Sequence, residues 1–156
     1  MLIIRPIIDK DQTILREATY YNLNWDEDRF SFEDIDSNPK FSHYYKWEKT
    51  DFGFIAQSHQ QISGIVWIKY FTEQDPGFGF WDEETPELSL CVFPLFRNSG
   101  LGSRLLQMAI DDSKKREIPS LSLSVEFENE IARNLYEKFG FRYIDGTDGC
   151  MLLEFL

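Results

Sequence analysis

The order of apolar patterns along the chain predicts an α+β domain with a mixed, mostly antiparallel sheet and flanking helices. Three observations carry that prediction. Runs rich in β-branched and aromatic residues occur near the start, in the middle and at the end of the chain. Segments with apolar residues spaced by three and four lie between them. In the second half a strand pattern, a helix pattern and a second strand pattern follow one another, the order that makes a parallel pair. The 156 residues suit one domain, 1–156, and 42% hydrophobic with 16% aromatic residues supply a packed core without any compositional case for disorder.

Taken in order, Leu2 to Arg5 reads as a short strand stopped by Pro6. Asp9 or Asp11 can cap the helix in which Ile14, Leu15, Ala18 and Tyr21 recur. Trp25 to Tyr45 mixes acids with aromatics around Asn38-Pro39 and suits a second short helix. Phe52 to Ala56 and Ile62 to Phe71, separated by a polar turn, predict an antiparallel hairpin in which Gly64 hints at a bulge or a close approach. Thr72 to Glu87 is a loop, and Leu88 to Phe93 resumes as a strand ended by Pro94. Leu101, Leu105, Met108 and Ala109 mark a helix that Pro119 terminates. Leu121, Leu123 and Val125 alternate with polar residues as a strand. Ile131, Ala132, Leu135, Tyr136 and Phe139 form a helix closed by Gly140. A hairpin of Phe141 to Ile144 and Cys150 to Leu156 ends the chain.

Charge and composition exclude several classes. Sixteen basic against 27 acidic residues give a net charge of −11, which repels phosphate backbones and anionic bilayers, so neither nucleic acid nor membrane is an expected partner. The longest nearly apolar stretches, Ile62 to Phe71 and Leu88 to Phe96, are far shorter than the roughly 20 residues of a membrane-spanning helix. The amino-terminal residues lack the pattern of a secretory signal, and the cytoplasm is the expected location. Cys91 and Cys150 are too few for a disulfide framework and read as reduced packing residues. His43 and His59 stand apart from any carboxylate or cysteine pattern, so no metal site is expected.

Chemistry concentrates where the second-half unit changes direction. Leu88 to Gly102 places a strand, a glycine-bearing loop and a helix start in immediate succession. Such a helix start offers unpaired backbone N–H groups to an anion, Gly100 and Gly102 remove side chains from its path, and Arg97 and Arg104 add cations; the geometry suits a pyrophosphate. The G-x-G-x-x-G and Gly-Lys-Ser/Thr fingerprints are both missing. From Arg97 to Arg142 there are eight basic and seven acidic residues, against eight and twenty in the remainder, so this is the part of the chain most tolerant of a polyanion. An ordinary helix start with solvated charges is the alternative reading.

Val92-Phe93-Pro94 followed by Arg97-Asn98-Ser99-Gly100-Leu101-Gly102 resembles the pyrophosphate motif of the GNAT superfamily of acyl-CoA-dependent N-acyltransferases. Asn129, Ala132, Leu135-Tyr136 and Gly140-Phe141 resemble that family's second motif, in the right order and at the right spacing. The detailed resemblance covers about Glu87 to Leu156. Asn98 departs from the glycine common at its position, a change Asn tolerates because it enters positive φ more readily than most residues. The resemblance implies a GNAT-like fold in which the strand ending at Val92 and Phe93 splays from the next parallel strand, with the pantetheine of acetyl-CoA in the gap. It further implies that backbone groups of Val92 and Phe93 meet pantetheine and the acyl carbonyl. Arg97, Asn98, Ser99, Gly100, Leu101, Gly102 and Ser103 would hold the pyrophosphate, and Asn129 the pantetheine arm, a role compatible with capping a helix.

By the same resemblance Tyr136 is the candidate that hydrogen-bonds or protonates the leaving thiolate, the alternative being that it only packs. Glu87 matches a strand carboxylate that serves some members as base. It lies four residues before Cys91, roughly 13 to 17 Å from the expected reacting centre, so it acts only through water or a strand bend. Asp82, Glu83, Glu84 and water compete for that role, and a solvated strand-start charge is the alternative for Glu87. Thr72 to Glu87 holds six acids, no Lys or Arg, and Phe78, Phe80 and Trp81, a composition suited to gathering a cationic amine. The expected activity is direct transfer of acetyl from acetyl-CoA to a primary amine, without a metal. The acceptor is a small cationic amine or, alternatively, a protein or peptide amino group; a noncatalytic CoA-sensing or partner-binding domain is the rival of another class. Acyl groups other than acetyl and a homodimer stay open.

Overall fold

A computed structural model describes residues 1–155. The elements run β1 (Leu2–Pro6), α1 (Gln12–Leu23), α2 (Phe32–Ser37), α3 (Pro39–Ser42), β2 (Phe52–Ser58), β3 (Gln61–Lys69), β4 (Glu87–Val92), α4 (Leu101–Lys115), β5 (Ser120–Ser124), α5 (Glu130–Lys138), β6 (Arg142–Tyr143) and β7 (Cys150–Glu154). Short 3-10 turns precede α1 and follow α3, the latter at His43–Tyr45. The predicted order holds except that Trp25 to Tyr45 forms two short helices, α2 and α3, instead of one; boundaries are displaced by a few residues, with β3 starting at Gln61 and ending two residues before Phe71, and β6 only Arg142–Tyr143. The last residue of the predicted final strand, Leu156, lies outside the described residues.

The sheet order is β1-β2-β3-β4-β5-β7-β6. Every neighbour pairs antiparallel except β4 and β5, which run parallel and share a single register pair, Glu87 with Ser122. Beyond that pair the two strands part, and the predicted splay is thereby present. The bulge that Gly64 hinted at falls at the Ala56/Gln57 step of the β2–β3 pairing. A Cβ on Gly64 would lie 3.0 Å from Leu105 and 3.1 Å from Leu101, so the glycine also lets α4 seat closely on the sheet.

Alternation along the strands divides the core into two layers. Val66, Ile68, Leu88, Leu90 and Val92 face α4 and α5, packing with Leu105, Leu106, Ala109 and Tyr136. Ile65, Trp67, Cys91 and Phe93 face α1 and the His43–Tyr45 turn, packing with Leu15, Ala18 and Tyr44. By the same parity Glu87 belongs to the α1 face, so Glu87 and Tyr136 stand on opposite faces of the sheet at the point where it opens.

Candidate active site

The start of α4 follows from its local sequence. Asn98 (φ 62°) and Gly100 (φ 80°) are both in the left-handed region, which turns the chain sharply after the Pro94–Phe96 turn. The Arg104 amide is bonded to the Gly100 carbonyl, 3.2 Å, as the first turn of α4, and no side chain caps the helix. The amides of Leu101, Gly102 and Ser103 therefore point out of an uncapped N-terminus, the arrangement an anion needs. A Cβ on Gly100 would meet nothing within 4 Å, so this loop is open to a ligand. Ser99 donates its hydroxyl to the Phe96 carbonyl, 2.6 Å, and Arg97 turns its Nε back to the Val92 carbonyl, 3.1 Å.

Backbone parity decides which β4 groups reach the gap. The Phe93 amide donates to the Ser63 carbonyl of β3, 3.0 Å, and the Phe93 carbonyl accepts from Phe96, 2.9 Å. Both Phe93 backbone groups therefore already have partners within the protein. With Phe93 bonded toward β3, alternation turns Leu88, Leu90 and Val92 toward β5, and the Ser122 amide indeed bonds Pro86, two residues before Leu88. Leu90 is thus a gap residue that motif reasoning passed over and strand parity could have found.

A cavity of about 850 Å³ opens from the splay. Its wall joins β4 residues Glu87 to Leu90, the end of β5 from Ser124 to Glu126, Asn129 before α5 with Ala132 and Tyr136 on it, Thr19, Asn22 and Leu23 of α1, and the β6–β7 loop Asp145 to Gly149. Trp25, Phe30, Phe41, Tyr44, Trp67, Phe78, Phe127 and Tyr143 make the wall aromatic. Asn129 caps α5 by accepting from the Ala132 amide, 3.4 Å, and also lines the cavity.

Glu87 is only 3% exposed. Its Oε2 accepts from the Tyr44 hydroxyl, 2.5 Å, and its Oε1 from the Gly79 amide, 3.0 Å. Burial pushes its carboxyl up to about 7, against the downward pull of those two donors. The alternative of a solvated strand-start charge is therefore excluded. Asp82, Glu83 and Glu84 lie on exposed turns outside the cavity wall, and of the Thr72 to Glu87 segment Phe78 and Glu87 reach it. The acids that do line it include Glu126, Glu128, Asp145 and Asp148.

Tyr136 is buried against Phe141, has its phenol raised mainly by burial and next by Cys91, and keeps its proton; no protein group among the described residues accepts from it. Cys91 is buried with its thiol pushed up to about 12, chiefly by burial, which removes it as a nucleophile at neutral pH. On the opposite rim, Arg29 grips Glu126 with both terminal nitrogens, 2.9 and 2.8 Å, and the Trp25 indole N–H also donates to Glu126. Asn24 Oδ1 holds the Arg29 and Phe30 amides, 2.6 and 2.8 Å, so the segment after α1 is tied across to the end of β5.

A family model described as "Acetyltransferase (GNAT) family" matches residues 18–141. The chain belongs to this family. Membership makes it an acyltransferase with acetyl-CoA as donor. Among relatives, N-alpha-acetyltransferase 30 of Schizosaccharomyces pombe is 27% identical over 113 residues, 67% of this chain and 72% of that protein. The [ribosomal protein bS18]-alanine N-acetyltransferase of Escherichia coli is 35% identical over 74 residues, 43% of this chain and 50% of that protein. The match to the latter spans half of its length. A predicted acetyltransferase from Clostridium acetobutylicum, solved with acetyl-CoA, superposes with a TM-score of 0.71 at 21% identity, covering 100% of this chain and 96% of that one. That likeness confirms the α+β GNAT fold across the amino-terminal half as well, where motif reasoning offered only a coarse pattern. The open α4 N-terminus and the single-pair splay fit the diphosphate and pantetheine parts of the donor.

Proposed function

We propose that this GNAT protein transfers acetyl directly from acetyl-CoA to a small cationic primary amine with an apolar body. The carrying observation is the cavity itself: it passes through the splay and brings Glu87 on one face of the sheet into the same space as Tyr136 on the other. A donor lying along the α4 and α5 face and an acceptor entering from the α1 face would meet at the gap, as a ternary complex requires. Aromatic walls and a rim of acids suit an ammonium group and the carbon skeleton behind it.

The amine must lose a proton before it attacks. Glu87, with a carboxyl near 7, is matched to remove it at neutral pH. From Glu87 to Leu90, the first fully splayed gap position, is three residues, about 10 Å along the strand, so one or more waters relay the proton. The amine nitrogen forms a bond to the acyl carbon, the thioester C–S bond breaks, and the sulfur leaves as thiolate. Tyr136, neutral and without a protein acceptor, supplies the hydrogen bond or proton to that sulfur.

A protein or peptide amino terminus is the second reading, favoured by what the fission-yeast and Escherichia coli relatives are named for. The Trp25 and Arg29 clasp on Glu126 favours the small acceptor, because a polypeptide would need that side of the cavity open. A screen of free amines and of amino-terminal peptides with acetyl-CoA, read by thiol release, tests both. Thiol release with free cationic amines and none with peptides is expected. Turnover with peptides alone overturns the small-amine reading, and CoA binding without release on any amine returns the chain to a noncatalytic CoA-binding role.

A further inference from the structure

Glu87 accepts at both of its carboxyl oxygens. The Phe78 amide donates to the Tyr44 oxygen, 2.7 Å. That leaves the Tyr44 hydroxyl hydrogen free to point at Glu87 Oε2, while the Gly79 amide occupies Oε1. Both donors favour the ionised form, because a carboxylate accepts from them more strongly than a carboxylic acid does. We propose that Tyr44 is the positioning residue of the reaction: its hydroxyl, oriented by the Phe78 amide, keeps the buried Glu87 ionised and fixed at the cavity wall.

The inference rests on the reading of Glu87 as the base. Gly77 supports it independently: a Cβ there would fall 2.3 Å from Glu87 Oε1 and 2.8 Å from the Tyr44 hydroxyl, so the segment has been left bare where it covers the pair. Tyr44 is itself set by its ring, stacked on Phe78 and edge-on to Phe71 and His43, and by its carbonyl, which accepts from Trp67 Nε1, 2.9 Å. The phenol is raised well above its usual value, first by burial and then by Glu87, so it serves as a donor at all working pH.

Among the described residues, the surroundings offer Glu87 no competing cation. Lys69, its partner on β3, is engaged by Asp51, 2.5 Å, and by the Lys46 carbonyl. His43 is bonded to Asp75, 2.9 Å. Ser122 of β5 is neutral, the Cys150 thiol of β7 is directed to the Gly79 carbonyl, and Glu126 at the cavity's far rim is paired with Arg29. The ionised state therefore depends on two neutral donors, one of which is a removable side-chain hydroxyl.

Tyr44→Phe keeps the ring and removes only that donor. The test follows the Glu87 side-chain carboxyl carbon by ¹³C NMR through a pH titration without any substrate, its resonance assigned by loss in Glu87→Gln. The expected result is a midpoint near 7 in the parent and a higher one in Tyr44→Phe, with CoA affinity unchanged. An unchanged midpoint in folded Tyr44→Phe overturns the proposal. Should Tyr44→Phe fail to fold, Gly77→Ala, which crowds the same contact, must displace the midpoint instead, and an unmoved midpoint there overturns it equally. The base reading is separated by acetyl transfer in Glu87→Gln: undiminished kcat removes Glu87 as base, whatever the titration shows.

Discussion

Glu87 makes the stability of the folded protein depend on pH in a direction opposite to that of most carboxylates. Its carboxyl titrates near 7 when folded and near 4.5 in the unfolded chain, because folding takes it out of water without supplying a cation. Between those values the native state holds a proton that the unfolded state has released, so unfolding sheds a proton and stability falls as pH rises. A gap of two to three units at 1.36 kcal/mol per unit amounts to about 3 kcal/mol. The contribution is fully present below about pH 4.5, is lost progressively up to about 7, and stays lost above it. Urea unfolding of the parent and of Glu87→Gln at half-unit intervals from pH 4 to 8.5 isolates this group, since the other titrating residues are common to both proteins. The stability difference between parent and variant should decline by about 3 kcal/mol across the window and be flat on either side. A difference constant with pH would mean that Glu87 titrates as an exposed carboxylate, and the match between its protonation and its role as base would be gone.

Other outcomes follow from the same geometry. Gly100→Asp puts a carboxylate at the uncapped start of α4, where an added Cβ meets no protein atom within 4 Å although the left-handed backbone is strained for a side chain; calorimetry on the variant, with folding checked by circular dichroism, should show CoA affinity reduced at least tenfold, about 1.4 kcal/mol. Tyr136→Phe keeps the ring against Phe141 and removes the hydroxyl; steady-state kinetics should show kcat lowered by about 10²-fold with CoA affinity unchanged. Joint neutralisation of Glu128, Asp145 and Asp148 on the cavity wall should raise KM for a cationic amine and flatten its salt dependence. The same change at Asp82, Glu83 and Glu84, which lie outside the wall, should leave both kinetic readouts as in the parent.

The proposed donor half of the site was legible because it is made by backbone. A loop that enters left-handed conformations twice needs Asn or Gly at fixed positions, and Asn98 and Gly100 stand there, both with positive φ. The helix signals around Leu101 and Asn129 are likewise local, so the uncapped end of α4 and the cap of α5 could be read from spacing. Position in a motif does not say which way the Phe93 amide points, and that is fixed by pairing with Ser63 on a strand about 30 residues earlier. Leu90 was hidden until that parity was known.

The proposed acceptor half was illegible because its groups come together only through the tertiary fold. Thr72 to Glu87 reads as an acidic loop, yet its three consecutive acids face solvent while Gly77 and Gly79 pack inward to cover Glu87. The acids that reach the cavity come from the end of β5 and the β6–β7 loop, more than 35 residues downstream of Glu87. Tyr44 had no signal of its own among the aromatics of Trp25 to Tyr45, and its partner is 43 residues away. What selects these residues is the single-pair splay. Parting β4 from β5 after Glu87 leaves the first unpaired positions of both strands open to both faces of the sheet, so a base held on one face and a phenol held on the other can serve one reacting centre. Extending the β4–β5 ladder by two more residues would close that passage and separate Glu87 from Tyr136, whatever side chains the motifs retained.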